Sequence, residues 1–279
     1  MMTVTSTVLI RTREARRQQR SGLPKWVLIG AEILVPILLL AVWWIASANS
    51  TNTFFPPLET ILERMASLAA TPAFWGDVGS SVGNLLLSFA LASALGVGLG
   101  IALGMSRWLS WLVEPTIHFF RAIPPVALVP IFVSLIGFGN ETRILSITLS
   151  AVFPVLISTI DGIHAVDPDR RAVGRIYRLG AWDRIFSVAL PEASPRILSG
   201  TQVSLITAFV VMIASEMLGS SIGLGARTLL AQQSFMIADM WVGILVLGII
   251  GYVATALLAI FRRRVLRWYI AIRQQEKNL

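Results

Sequence analysis

The chain has no cysteine, and among its 279 residues only two lysines, Lys25 and Lys277, and two histidines, His118 and His164. Without cysteine there is neither a disulfide framework nor thiol chemistry. Neither lysine follows a Gly-x-x-x-x-Gly segment, so the loop that cradles phosphates and ends in Lys-Ser/Thr cannot form, and the chain is not expected to hydrolyse ATP that way. Two histidines with no cysteine to join them make a poor metal site and read as structural. No bound cofactor or metal is expected. Charge is scarce as well: 14% of the residues are charged and 55% are apolar. That balance excludes a soluble single domain and leaves no room for a second, soluble one.

What is present is a series of apolar runs, at 27–47, 80–104, 113–137, 143–163, 197–218 and 240–261. Each is close to the ~20 residues that cross a bilayer as a helix. The expected fold is all-α: a polytopic membrane helical bundle of six transmembrane helices. The run from Trp26 to Ile45 is longer than a signal-peptide core and lacks a cleavage signal at its end, so it reads as a retained first helix. The third run is anomalous. Its apolar character starts near Trp108 and lasts about 30 residues, too many for one untilted span. It also contains Arg121, Pro124 and Pro125, residue types that a lipid-facing helix excludes.

The net charge of +8 does not indicate nucleic acid, because the basic residues flank apolar runs. An anionic membrane surface accounts for them. Arg11, Arg13, Arg16, Arg17, Arg20 and Lys25 precede the first run, Arg107 follows the second, six arginines from Arg170 to Arg196 follow the fourth, and Arg262, Arg263, Arg264, Arg267, Arg273 and Lys277 follow the sixth. If the spans alternate, these share one side and only Arg64, Arg143 and Arg227 fall opposite. Both termini are therefore expected in the cytoplasm. The organisation reads as a basic N-terminal segment (1–26), a first helix with an outer amphipathic segment (27–79), a core (80–262) with a cytoplasmic loop (164–195), and a basic tail (263–279). In the outer segment Leu58, Ile61, Leu62, Met65 and Leu68 recur at helical spacing, which predicts a helix lying along the outer membrane surface.

Within the spans, Gly96, Gly100 and Gly104 recur every four residues and give one helix a bare face for close packing. Arg121, Asp161 and Glu216 are charges in or near apolar runs, where each needs a cavity, a partner or the interface. Snorkelling explains Asp161 and Glu216 as well as burial does. The loop "HAVDPDRRAVGRIYRLGAWDRIFSVALPEASP" predicts two short helices: Asp167 caps the first, Pro168 is its first residue, Val173, Ile176 and Tyr177 share a face, Gly180 ends it, and a second begins near Trp182. Such a unit suits either docking to another protein or resting on anionic headgroups.

The loop resembles the Glu-Ala-Ala loop of ABC-importer permeases of type I, with Val188-x-Leu190-Pro191 matching the end of that pattern. The segment from Arg121 through Pro124-Pro125 to Pro130, followed by Ile136-Gly137-Phe138-Gly139, is similar to the subgroup that serves alkanesulfonates, taurine and nitrate. Phe55-Pro56-Pro57, Ala214-Ser215-Glu216-Met217-Leu218 and Gly223-Leu224-Gly225 fit the same subgroup. The glutamate of the pattern is missing. Aligning on Leu190-Pro191 puts Ala172 in its place and Arg178 in the place of the glycine; aligning on Gly180 puts Gly174 there and leaves the proline two residues early.

The resemblance implies a non-catalytic bacterial inner-membrane subunit that pairs with a second permease subunit, a homodimer by expectation. It would receive a small solute from an extracytoplasmic binding protein and dock ABC ATPase subunits, which hold ATP-Mg. Docking would fall on Asp167, Pro168, Arg171, Val173, Gly174, Arg175, Tyr177, Arg178, Gly180, Ala181, Leu190 and Pro191. Arg121, Pro124, Pro125, Ser215 and Glu216 are the candidate path residues, with anchoring an alternative for Arg121. A self-sufficient secondary transporter is the rival, but it would need coupling acids deep in the spans and inverted repeats, neither of which is evident.

Overall fold

The structure, a computed structural model, describes residues 25–269. The basic head up to Arg20 and the tail residues Arg273 and Lys277 lie outside the described residues. In order, the helices are α1 (Lys25–Ser47), α2 (Leu58–Ala69), α3 (Pro72–Gly104), α4 (Arg107–Ala122), α5 (Leu128–Ile136), α6 (Asn140–His164), α7 (Pro168–Ile176), α8 (Ala181–Asp183), α9 (Leu190–Gly219), α10 (Leu224–Gln233) and α11 (Ile237–Val265). No strand occurs among the described residues. The helices α3, α6 and α11, and the continuous stretch Ala181–Gly219, are long and apolar enough to cross a membrane.

The third apolar run is a broken pair, Arg107–Ala122 and Pro125–Ile136, bent by 80°. Each residue before a proline is driven out of the helical region by the following ring. Accordingly Ile123 (φ −74, ψ 125) and Pro124 (φ −58, ψ 123) are extended, and Pro125 opens a 3₁₀ turn.

The chain divides into two compact units, one ending at Thr60 and one starting at Ile61. In the first, the Ser47 hydroxyl accepts from the Leu58 amide at 3.1 Å, and Trp43 stacks on Phe55 at 6.4 Å. In the second, α6 lies between α3 and α9, and small residues set the spacing. A Cβ built on Gly96, Gly100 or Gly104 would lie 2.7, 2.5 or 3.1 Å from the Cβ of Val155, Thr159 or Ile163. Two four-residue periods thus mesh along one seam. On the other side of α6, a Cβ on Gly200 would lie 2.4 Å from that of Ser158, and the Ser204 hydroxyl donates to the Ala151 carbonyl at 2.7 Å.

Three expectations need correction. The amphipathic helix α2 forms, but the apolar residues Leu58, Ile61 and Leu68 face the protein interior, where they are buried. Residues 61–79 group with the core and not with the first helix. The loop ends at Ala189, because a π-helical turn (Arg184–Ala189) runs straight into α9 and Leu190-Pro191 are already helical. The wider π turn gives the Pro191 ring the room that a tight α turn would deny it.

Candidate functional site

The loop between α6 and α9 is built as two short turns, the first of them capped. The Asp167 carboxylate accepts from the Asp169 amide at 2.8 Å, and Pro168 opens α7, where its missing N–H costs nothing. Glu192 draws the loop back to α9, with Arg170 at 3.8 Å and the Asp167 amide at 3.4 Å. Arg171 donates to the Ile163 carbonyl, and Arg196 donates to the Asp161 carbonyl at 3.0 Å.

Helix α7 stops earlier than Gly180. Arg178 takes the left-handed conformation (φ 51) and the Leu179 amide donates to the Gly174 carbonyl at 3.0 Å. Gly180 has an ordinary φ of −60 and leads into Ala181. The glycine-like position of the loop is thus Arg178, which agrees with the alignment on Leu190-Pro191 and sets Ala172 where the pattern carries glutamate. A non-glycine residue in this conformation costs about 1 kcal/mol. Arg178→Gly is therefore expected to tighten the turn, slowing hydrogen exchange at the Leu179 amide about fivefold; unchanged or faster exchange would show that the turn carries no strain.

The outer surface of this loop is apolar. Val173, Ile176, Tyr177, Trp182 and Phe186 are all more than half exposed, and Trp182 stacks on Phe186 at 5.7 Å. Ile176, Trp182 and Phe186 are functional candidates that a reading centred on arginines passes over. Their signal in the sequence is two aromatic residues four apart in an otherwise polar loop. Gly174 is buried, yet a Cβ there would make only ordinary contacts, at 3.7 Å from Arg184 and Leu179.

Of the candidate path residues, Glu216 and Ser215 are both buried, Glu216 completely. The Glu216 carboxylate accepts from the Ser81 hydroxyl at 2.7 Å and from the Gly225 amide at 2.8 Å, while Ser81 accepts from the Leu224 amide at 2.9 Å. Asp77 accepts from the Gly223 amide and from Arg227, both at 3.0 Å, and Arg143 donates to the Ile222 carbonyl at 3.1 Å. Gly223 (φ +119) passes so close that a Cβ would sit 2.5 Å from the Glu216 carboxyl carbon. This knot fastens the turn between α9 and α10 to α3 and α6. Ser215 donates to the Met212 carbonyl of its own helix at 2.8 Å.

The three arginines expected opposite the basic face are all engaged. Besides Arg143 and Arg227, Arg64 forms a two-pronged pair with Asp239, one contact at 2.9 Å. The hydrogen bond that Arg64 donates to Asp239, and the charge of that carboxylate, raise the Arg64 pKa above its ordinary value.

Arg121 lies one turn before the 80° break and is exposed. A cavity of about 200 Å³ beside it is lined by Ser150, Phe153, Thr207 and the Pro125 ring, and a second of about 200 Å³ holds Glu114, His118, Asp161 and His164. His118 faces Glu114 at 3.6 Å and His164 lies 3.4 Å from the Ser110 hydroxyl. Among the described residues no three His, Cys, Asp or Glu side chains gather as a metal ion would require.

Comparison with known proteins matches residues 92–267 to the family described as binding-protein-dependent transport system inner membrane component. The chain is 29% identical over 238 residues to the putative aliphatic sulfonates transport permease protein SsuC of Bacillus subtilis, covering 85% of this chain and 86% of that protein. It is 28% identical to the taurine transport system permease protein TauC of Escherichia coli, covering 83% and 87%. With the bicarbonate transport system permease protein CmpB of Synechococcus elongatus it shares 28% identity, covering 93% and 99%. Among solved structures, an inward-facing conformation of the MetNI methionine ABC transporter superposes with a TM-score of 0.59 at 19% identity, covering 70% of this chain and 99% of that one. The family match starts within α3 and takes in α6, the loop before α9, and α9 itself, so this multi-pass inner-membrane chain belongs to the family of binding-protein-dependent transport system inner membrane components, the permease subunits of ABC importers.

Proposed function

We propose that this chain forms, with a second copy of itself, the path for a small oxyanion delivered by an extracytoplasmic binding protein. ATP-Mg is bound and hydrolysed by separate subunits docked on the loop at 168–189, and the chain itself makes and breaks no covalent bond. The termini and the docking loop share the cytoplasmic side, in keeping with the distribution of the arginines. A self-sufficient secondary transporter does not fit a family defined by dependence on a binding protein.

The observation that carries the docking role is the exposed apolar surface of Val173, Ile176, Tyr177, Trp182 and Phe186. Exposed aromatic residues on a loop tied down by Asp167, Arg170, Arg171 and Glu192 are the kind of preorganised anchors on which binding energy concentrates. The absent glutamate then costs little, because burial of apolar area replaces an ion pair. The oxyanion reading rests on the relatives, named for sulfonates, taurine and bicarbonate, each with an anionic oxygen-bearing group. Exposed Arg121, beside its cavity at the helix break, is the cation placed to meet such a group.

The test is the variant Ile176→Ser/Tyr177→Ala/Trp182→Ala/Phe186→Ala, with ATPase subunits identified by co-purification. Truncating an anchor residue costs on the order of 2 kcal/mol, so recovery of the ATPase is expected to fall at least about a hundredfold, and solute uptake with it, while the chain stays in the membrane. Full recovery of the ATPase with this variant would remove the docking role from the loop.

A further inference from the structure

The two ends of the bundle treat arginine differently. At the Glu216 end, Arg64, Arg143 and Arg227 each donate to a carboxylate or a carbonyl. At the other end, between the α3–α4 turn and the loop, a cavity of about 450 Å³ is lined by Arg107, Arg170, Arg171, Arg175 and Arg184 and by no carboxylate. Arg170 is shared with Glu192 and Arg171 with the Ile163 carbonyl. The guanidinium groups of Arg107, Arg175 and Arg184 have no partner among the described residues.

We propose that this cavity binds a phosphate group. Five cations converging on one concavity repel each other, and an anion placed among them removes that cost and adds charge-assisted hydrogen bonds. A single carboxylate offers two oxygens and one charge, too few for three free guanidinium forks. A tetrahedral phosphate offers more acceptor oxygens in the geometry the forks prefer. Met105, Val166 and Val188 supply an apolar wall, and the volume exceeds a bare phosphate, so an ester fits as well as the ion. The group comes either from a lipid headgroup at the membrane face or from a free anion, and its chemistry is the same. The cavity shares the 168–189 loop with the docking surface but not its exposed apolar residues: Val173, Ile176, Tyr177, Trp182 and Phe186 do not line it. Bound phosphate would bridge the α3–α4 turn to the loop.

The full-length chain, purified in mild detergent, is assayed by equilibrium dialysis against radiolabelled inorganic phosphate and by native mass spectrometry after addition of phosphatidylglycerol or phosphatidylcholine. The variant Arg107→Gln/Arg175→Gln/Arg184→Gln is expected to bind at least about tenfold more weakly, whereas Arg263→Gln/Arg264→Gln binds as the native chain does. Phosphate binding lost in the triple variant identifies a free anion. Retained phosphatidylglycerol lost in that variant, without phosphate binding, identifies a headgroup. If the native chain and the triple variant bind both probes alike, or if the native chain binds neither while the variant loses only its ATPase, the proposal fails. Should the triple variant not assemble, Arg107→Gln alone, on the turn away from the loop, carries the same test. The Ile176→Ser/Tyr177→Ala/Trp182→Ala/Phe186→Ala variant, expected to bind phosphate normally, separates this failure from failure of the docking role.

Discussion

Gly100→Leu is expected to yield almost no assembled subunit. The Cβ alone would lie 2.5 Å from the Thr159 Cβ and 3.1 Å from the Leu156 carbonyl oxygen, so α3 and α6 must part along their whole seam. Parting them also opens the Gly96–Val155 and Gly104–Ile163 contacts, and a leucine has three more carbons to place. Overpacking of one site costs about 1–3 kcal/mol, and here it acts on three meshed positions, so a loss of at least about 3 kcal/mol is expected. The measurement is the monodisperse fraction in mild detergent together with the thermal midpoint. Gly98→Leu is the internal control: it sits two residues away on the same helix with nothing within 4 Å of its would-be Cβ, and it is expected to behave as the native chain. If the two variants behave alike, the seam is not what holds α3 to α6.

Glu216→Leu should be nearly as damaging, for an electrostatic reason. It leaves the Gly225 amide and the Ser81 hydroxyl without their acceptor, in a site with no access to water. It also removes the charge opposed to Arg143, which acts on Glu216 and is itself buried with its Nε unpartnered. Removing one member of such a network costs about 3–5 kcal/mol. Glu216→Gln keeps the shape and one acceptor and should cost about 1–2 kcal/mol. Thermal stability of the purified variants ranks them. Normal stability in both, with altered solute selectivity, would return Glu216 to the path.

How far the sequence carried these conclusions depended on distance along the chain. Of the six expected spans, hydropathy placed those that are α3, α6, the 181–219 stretch and α11, because burial in lipid imposes a simple length and composition. The helix break was legible in Pro124-Pro125 and the cap of α7 in Asp167-Pro168, both local rules of backbone chemistry. The glycine stripe at 96, 100 and 104 was visible as a pattern, but its partners Val155, Thr159 and Ile163 were not. The Glu216 knot was hidden for the same reason. Asp77, Ser81 and Arg143 reach it from two other helices, and no short-range spacing announces a contact across 135 residues. The left-handed turn at Arg178 was obscured by the nearby Gly180, which offers the more permissive backbone but is not where the chain turns. Pro191 and Pro195 suggested a loop end where the helix instead continues.

That continuity has a mechanical consequence. From Ala181 to Gly219 the backbone is a single rod of 39 residues, roughly 58 Å long at 1.5 Å per residue. Its near end carries Trp182 and Phe186, and Glu216 lies one turn from its far end. Pivoted near its middle, such a rod swings its two ends in opposite directions by about 0.5 Å for each degree of tilt. Force applied at one end of such a rod would therefore arrive at the other with its direction reversed, provided the π turn at Arg184–Ala189 and the helix at Pro195 hold straight under load.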